Sequence, residues 1–398
     1  MPAIFHMLMK WSCLQKPVGF FLLGVALICH PTKAQTPSID TLPRRIYVEN
    51  SEKSSHVQGV AIDLQRGHAY FSFTTKLIKT DLKGNILASV TGLTCHLGCI
   101  DLDPVSGKLY GSIEYKDDAI GRGILKQMGR ELGKRENTFY IGIFDTKKMT
   151  RENIDAETGG VMTTVFLPDV VKFYEDTVTV GQRRMAHRFG CSGIDGLSIG
   201  PQWGKTDGKL YVNVDAAIYG DLQREDNDYQ VILQYDPDKL ERYATALDQA
   251  KPHHNGPKKA DAYYYVYTGN TEFGIQNLEY DAHNHYWLAA VYKGKKPQFP
   301  NYSLFAIDGT RKPVKQTLRG FVPKQKGRVL TLAEAGSHHV ESGVRGWPQA
   351  IGTTGIESIG GGYYYISHNG RTKDGREYCD LRLYRWVGTA DRAFEEVR

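Results

Sequence analysis

Apolar and polar residues alternate in short runs along most of this chain. HAYFSF from His68, KLYGSIEY from Lys108, KLYVNV from Lys209, YWLAAVY from Tyr286 and YYYIS from Tyr363 are rich in aromatic and β-branched side chains and bounded by Gly, Asp or Asn. Period-two alternation of that length and composition predicts β-strands. Few stretches carry the 3.6-residue period of an amphipathic helix. A second pattern stands before those runs: VQGVAID from Val57, LGCIDLD from Leu97, IDGLSIG from Ile194, IQNLEYD from Ile275 and IESIGGG from Ile356. Each sets an apolar residue before a polar or small one, and most end in an Asp-type turn. The unit of strand, tight turn and strand thus occurs five times. Radial repetition of this kind predicts an all-β fold, a β-propeller of five blades. Six blades is the alternative, because several intervals exceed the roughly 40 residues that a four-stranded blade needs.

The run RRIYVEN from Arg44 precedes the first repeat. It is placed to complete the last blade and close the ring, leaving no strand edge unpaired. No stretch rich in Pro, Gly or Ser divides the chain, so residues 35–398 read as one propeller domain. The basic segment from Arg311 to Arg328 reads as a surface excursion.

The first 34 residues have a different pattern. Lys10 and Lys16 precede the apolar run Val18–Ile28, and Thr32-Lys33-Ala34 follow it. A basic start, a short apolar core and small residues at the end describe a secretory signal, residues 1–34. The run is too short for a resident membrane helix. The expected protein is therefore exported, periplasmic or extracellular, with no membrane span, and acts as a monomer. The net charge of +6 includes Lys10, Lys16 and Lys33. What remains is too mildly basic to indicate nucleic-acid binding. Cys95, Cys99, Cys191 and Cys379 remain after the leader, and the sequence does not choose among their possible pairings.

In a propeller the innermost strand of each blade runs along the central tunnel. The polar position shared by the repeats then becomes a ring of Gln58, Gly98, Asp195, Gln276 and Glu357. Two carboxylates and two amides form an all-oxygen environment that suits calcium on the tunnel axis. Strand direction adds a second inference. The start of an innermost strand and the end of the next, antiparallel strand share one face of the disc. That places His56, His96, Arg188, Glu114, Tyr115, Lys116, Asp215, Tyr219, Tyr292, Lys293 and His368 around one tunnel mouth. Any one of these is ordinary; their convergence is the signal.

The opening IESI from Ile356, with Glu357 in the ring, resembles the blade opening of the calcium-activated nucleotidase (apyrase) family. The resemblance implies a five-bladed propeller with tunnel calcium, and calcium-ligand roles for Glu357 and Asp195. Gln58, Gly98 and Gln276 stand where that family pattern has acids or hydroxyls.

Two functions follow. The first is a hydrolase, or less so a lyase, acting on a polar saccharide or phosphoester. Glu114 and Asp215 are its candidate acid and base; His56, His96 and His368 transfer protons or bind metal. Tyr115, Lys116, Arg188, Tyr219, Tyr292 and Lys293 contact substrate, with Lys116, Lys293 and Arg188 stabilising developing negative charge. The second is a non-catalytic propeller that binds a glycan or protein through Tyr115, Tyr219, Tyr292 and Trp347.

Overall fold

The computed structural model describes residues 39–51, 55–130, 133 and 135–398; the expected signal segment lies outside them. Five sheets, each antiparallel from its innermost strand outward, stand around one axis. Their innermost strands are Val57–Asp63, His96–Leu102, Leu197–Pro201, Thr271–Asp281 and Ile356–Ser358, in blades 1 to 5. Each pairs with the next strand outward, His68–Phe73, Lys108–Tyr115, Leu210–Ala216, Tyr286–Lys293 or Tyr363–Arg371. These are the segments whose alternation predicts strands.

Ring closure comes from the chain's start. Arg45–Glu49 pairs antiparallel with Glu377–Trp386 of blade 5, in the register Arg45 to Arg382 and Glu49 to Tyr378. Phe394–Glu396 takes the remaining length of the same strand. The buried Ile46 and Val48 join Val60, Phe71 and Leu381 in the apolar wedge between blades 5 and 1. Comparable wedges separate the other neighbours: Tyr70 with Leu97 between blades 1 and 2, and Trp287 with Ile232 between blades 3 and 4. Among the described residues there are five such clusters, one for each junction of a five-bladed ring.

The long intervals hold insertions rather than a sixth blade. Helix α1 (Ala119–Gln127) follows the second strand of blade 2, and α2 (Pro168–Glu175) precedes the hairpin Thr177–Val180 and Arg183–Ala186. The basic segment forms part of the hairpin Val314–Thr317 and Lys326–Leu330. Its second strand adds in parallel to the outer strand of blade 3, Tyr264 beside Arg328, so the excursion caps a sheet edge. Cys95, Cys99, Cys191 and Cys379 are buried free thiols.

Polar side chains near the axis tie each blade to the next. Ser72 donates to the Gly98 carbonyl at 2.7 Å and Ser112 to the Asp195 carbonyl at 2.6 Å. Asp215 accepts the Ile275 N–H at 2.9 Å, and Asn277 both accepts from and donates to Ile356. These bonds satisfy groups that the wedges shut away from water.

Candidate active site

The register of the inner strands decides where the repeated polar positions go. Bulges interrupt the pairing between Val57 and Gly59, Leu97 and Ile100, and Ile275 and Asn277. A bulge inserts residues on one strand and re-aims their side chains. Gln58 and Gln276 are such residues, and with Asp195 they line a cavity at the tunnel mouth. Glu357 does not join them. It lies opposite Tyr365, the place held by Ala61 opposite Tyr70, Asp101 opposite Tyr110, Ser198 opposite Asn213 and Glu279 opposite Leu288. The single ring expected from Gln58, Asp195, Gln276 and Glu357 is thus two separate groups.

The axial group is Asp101, Glu279 and Glu357, with one oxygen of each within 4.8 Å of the others. Each carboxylate also accepts a backbone N–H from the following blade: Asp101 from Ile199 at 2.7 Å, Glu279 from Ser358 at 2.9 Å and Glu357 from Ile62 at 2.9 Å. Burial raises all three pKa values, Asp101 to about 6 and the glutamates well above their ordinary range, with repulsion from the other acids of the cluster adding to it at both glutamates. Three clustered hard oxygen donors fit a divalent cation such as calcium. Asp101 and Glu279 escape a reading aligned on the blade openings. Aligned on the turns, the endings AID, DLD and EYD place Ala61, Asp101 and Glu279 in one column.

The mouth cavity, of about 530 Å³, is where the acid–base groups meet. His96 and Glu114 are register partners on adjacent strands of blade 2, and His56 occupies the matching place in blade 1 with Thr74 opposite. His96 Nδ1 stands 3.4 Å from Glu114 Oε2, and Lys116 Nζ stands 2.9 Å from the same oxygen. Glu114 Oε1 accepts the Ile194 N–H at 2.6 Å, while Lys116 donates to the Ser192 carbonyl at 2.8 Å. Both side chains are buried. Burial alone would neutralise Glu114, but Lys116 and His96 outweigh it and hold its pKa below the usual value. His96 is affected in the reverse sense, burial being overcome by Glu114 and Asp195 so that its pKa rises.

Asp195 completes the group. Its Oδ1 is buried without a hydrogen-bond partner, and burial, with Glu114's repulsion countered by His96 and Lys116, pushes its pKa to about 7. A side chain at Gly98 would collide with this carboxylate and with the Ser112 hydroxyl. The glycine in the repeat pattern makes room for the acid of the next blade. His56 stands at the rim, 2.8 Å from the Gln58 amide nitrogen. Desolvation and then His96 hold its pKa below the ordinary imidazole value. Tyr292 shares the cavity, and burial followed by the charge of Asp195 raises its pKa.

The other expected site residues are elsewhere. Asp215 is fully buried as the acceptor that joins blade 3 to blade 4. His368 stacks against Tyr384 in blade 5 and hydrogen-bonds its hydroxyl at 2.8 Å. Tyr115 follows Glu114 on a strand, so it faces the opposite side. It bonds Gln249 at 3.0 Å and lies under Arg135, lining a different cavity. Arg188 pairs with Asp176 at 2.6 Å, beside a third cavity. Tyr219 reaches Asp118 at 3.3 Å and packs near Phe273, just outside the mouth lining. Lys293 is exposed beyond the cavity, and Trp347 is buried with its indole N–H on the Thr389 carbonyl. Each is set apart by an insertion or by the alternation of a strand.

No protein-family model matches the chain, and no curated protein matches it. Among solved structures it is similar to apo soluble aldose sugar dehydrogenase from Escherichia coli, at 12% identity and TM-score 0.31 over 85% of this chain and 99% of that one. It is also similar to a Bacteroides caccae protein of unknown function, at 12% identity and TM-score 0.30 over 71% and 88% of the two chains. The Dos1 propeller follows at 10% identity and TM-score 0.27, over 86% and 82%. Likenesses at this level carry no argument about the site, whose reading rests on the five-bladed β-propeller and the groups at its mouth.

Proposed function

We propose that this protein is an exported hydrolase of a polar, hydroxyl-rich substrate, a saccharide, bound at the tunnel mouth. The observation that carries this reading is Asp195, a buried carboxyl in the cavity with a pKa of about 7 and an unpartnered oxygen. At neutral pH it retains a proton to donate, whereas His56, with its lowered pKa, is free to accept one. Neighbouring groups whose pKa values are driven to opposite roles form an acid–base pair. In the reaction Asp195 protonates the leaving oxygen as the scissile bond breaks, and His56 takes a proton from the water that attacks. Glu114 serves as the charged anchor that orients His96, and Lys116 fixes Glu114.

Saccharide is favoured over phosphoester by charge. Lys116 is already paired with Glu114 and lies 3.8 Å from Asp118. Little uncommitted positive charge is left for a phosphate. The calcium expected on the tunnel axis belongs, in this reading, to Asp101, Glu279 and Glu357 rather than to the mouth residues. Bound there it would neutralise the carboxylates that hold the blades together. The experiment is hydrolysis of a panel of glycosides by wild type and Asp195→Asn. Cleavage of one glycoside that the variant loses by more than about 100-fold supports the reading; equal rates overturn it.

A further inference from the structure

One wall of the mouth cavity is apolar, and three features of it point to a ligand. Ile120 and Tyr292 are large apolar side chains left 39% and 40% exposed, and both line the cavity. Phe273, also in the lining, has φ of 61°, a left-handed conformation that costs a bulky residue free energy. It sits with Gly274, φ 72°, in the irregularity between Glu272 and Ile275, which thrusts the ring toward the mouth. Strain at a cavity residue is a pointer to function.

The third feature is in α1, which carries glycines at 121 and 123. A Cβ at Gly121 would strike the Lys116 carbonyl, so packing explains that glycine. A Cβ at Gly123 would meet nothing within 4 Å, and Gly123 lines the cavity. Glycine inside a helix is unfavourable. Here its effect is to keep space open beside Ile120 and Ile124. Gln58, Gln276 and the acid–base groups line the rest of the cavity.

We infer that the substrate carries a flat apolar group beside its scissile bond, an aryl or comparably hydrophobic aglycone, seated against α1, Phe273 and Tyr292. The inference rests on the saccharide-hydrolase reading and deepens it. The apolar group stays in the dry part of the cavity, and the sugar faces the amides and Asp195.

The test is calorimetric binding of sulfur-linked 4-nitrophenyl glycosides, which resist hydrolysis, against methyl glycosides of the same sugars. The aryl forms should bind at least about 10-fold tighter, one tenfold being 1.4 kcal/mol. Gly123→Leu should remove that advantage with the melting temperature unchanged or higher, leaving methyl glycosides unaffected. Phe273→Gly, which retains the left-handed backbone without strain, should reduce it as well. Equal binding of aryl and methyl forms, no binding of any aryl probe, or an advantage that survives both variants would each overturn the inference. The two readings fail separately. Aryl binding without hydrolysis of any glycoside removes the hydrolase and leaves the apolar subsite; Asp195-dependent hydrolysis without aryl preference does the reverse.

Discussion

Asp195 and Asp215 show how two similar residues diverge through their surroundings. Both are fully desolvated carboxyls of blade 3, Asp195 just before the innermost strand and Asp215 at the end of the next, and burial raises the pKa of each. Each keeps one buried oxygen without a hydrogen-bond partner, but Asp215 accepts a backbone N–H across a blade junction, whereas Asp195 lines the mouth cavity. Activity should therefore have a narrow pH window. His56, its pKa lowered, must be unprotonated, which sets the acid limb below ordinary imidazole values; Asp195 must be protonated, which sets the alkaline limb near 7. A pH–rate profile checks this, and Asp195→Asn should remove the alkaline limb along with most of the rate. Asp215→Ala should instead cost about 1–3 kcal/mol in a denaturant titration, because it strands the Ile275 N–H. The shape of its pH profile should match wild type. From the sequence, Asp195 is a calcium ligand and Asp215 an acid–base group; which of them lines the cavity depends on contacts between distant segments, such as the bond that ties Asp215 to Ile275, 60 residues on.

At the scale of elements, the strands were legible because their alternation is local. The ring register was not. Bulges add residues between the opening of a repeat and its turn in blades 1, 2 and 4. Counting from the openings therefore grouped Glu357 with Gln58, while counting from the turns groups it with Asp101 and Glu279. His56 and His96 share the cavity lining because each stands two residues before an equivalent position in a bulged strand. Helix α1 left little trace in the sequence, since GRG interrupts its apolar pattern, yet it forms a wall of the site. Its N-cap is Asp118, which accepts the Gly121 N–H at 2.8 Å. Asp118→Ala should cost about 1 kcal/mol of stability. It should raise KM for an aryl glycoside more than it lowers kcat, because it loosens a binding wall and leaves Asp195 and His56 in place. Steady-state kinetics with thermal denaturation separates those effects.

For the whole molecule, closure depends on joining the two ends of the described chain. The order RRIYVEN, then five repeats, made that closure readable, because an unpaired strand before the first blade has its natural partner at the last. The axial carboxylates add a dependence on pH and metal that belongs to the whole ring, since each joins one blade to the next. Their folded pKa values are raised, Asp101 to about 6 and Glu279 and Glu357 further. The folded state thus holds protons that the unfolded chain has released above pH ~4. The stability they contribute is fully present below that pH and is lost as pH rises through the folded values. In chelator, the melting temperature should fall as pH is raised from 5 to 8. A cation bound by the three carboxylates would replace those protons and reverse the trend. Calcium should then raise the melting temperature more at pH 8 than at pH 5, and its binding should release protons. Glu279→Gln with Glu357→Gln should flatten the pH dependence in chelator and remove the calcium response. A calcium response that persists in the double variant would place the ion elsewhere, and a melting temperature insensitive to both pH and calcium would show that the cluster neither holds protons nor binds metal in solution.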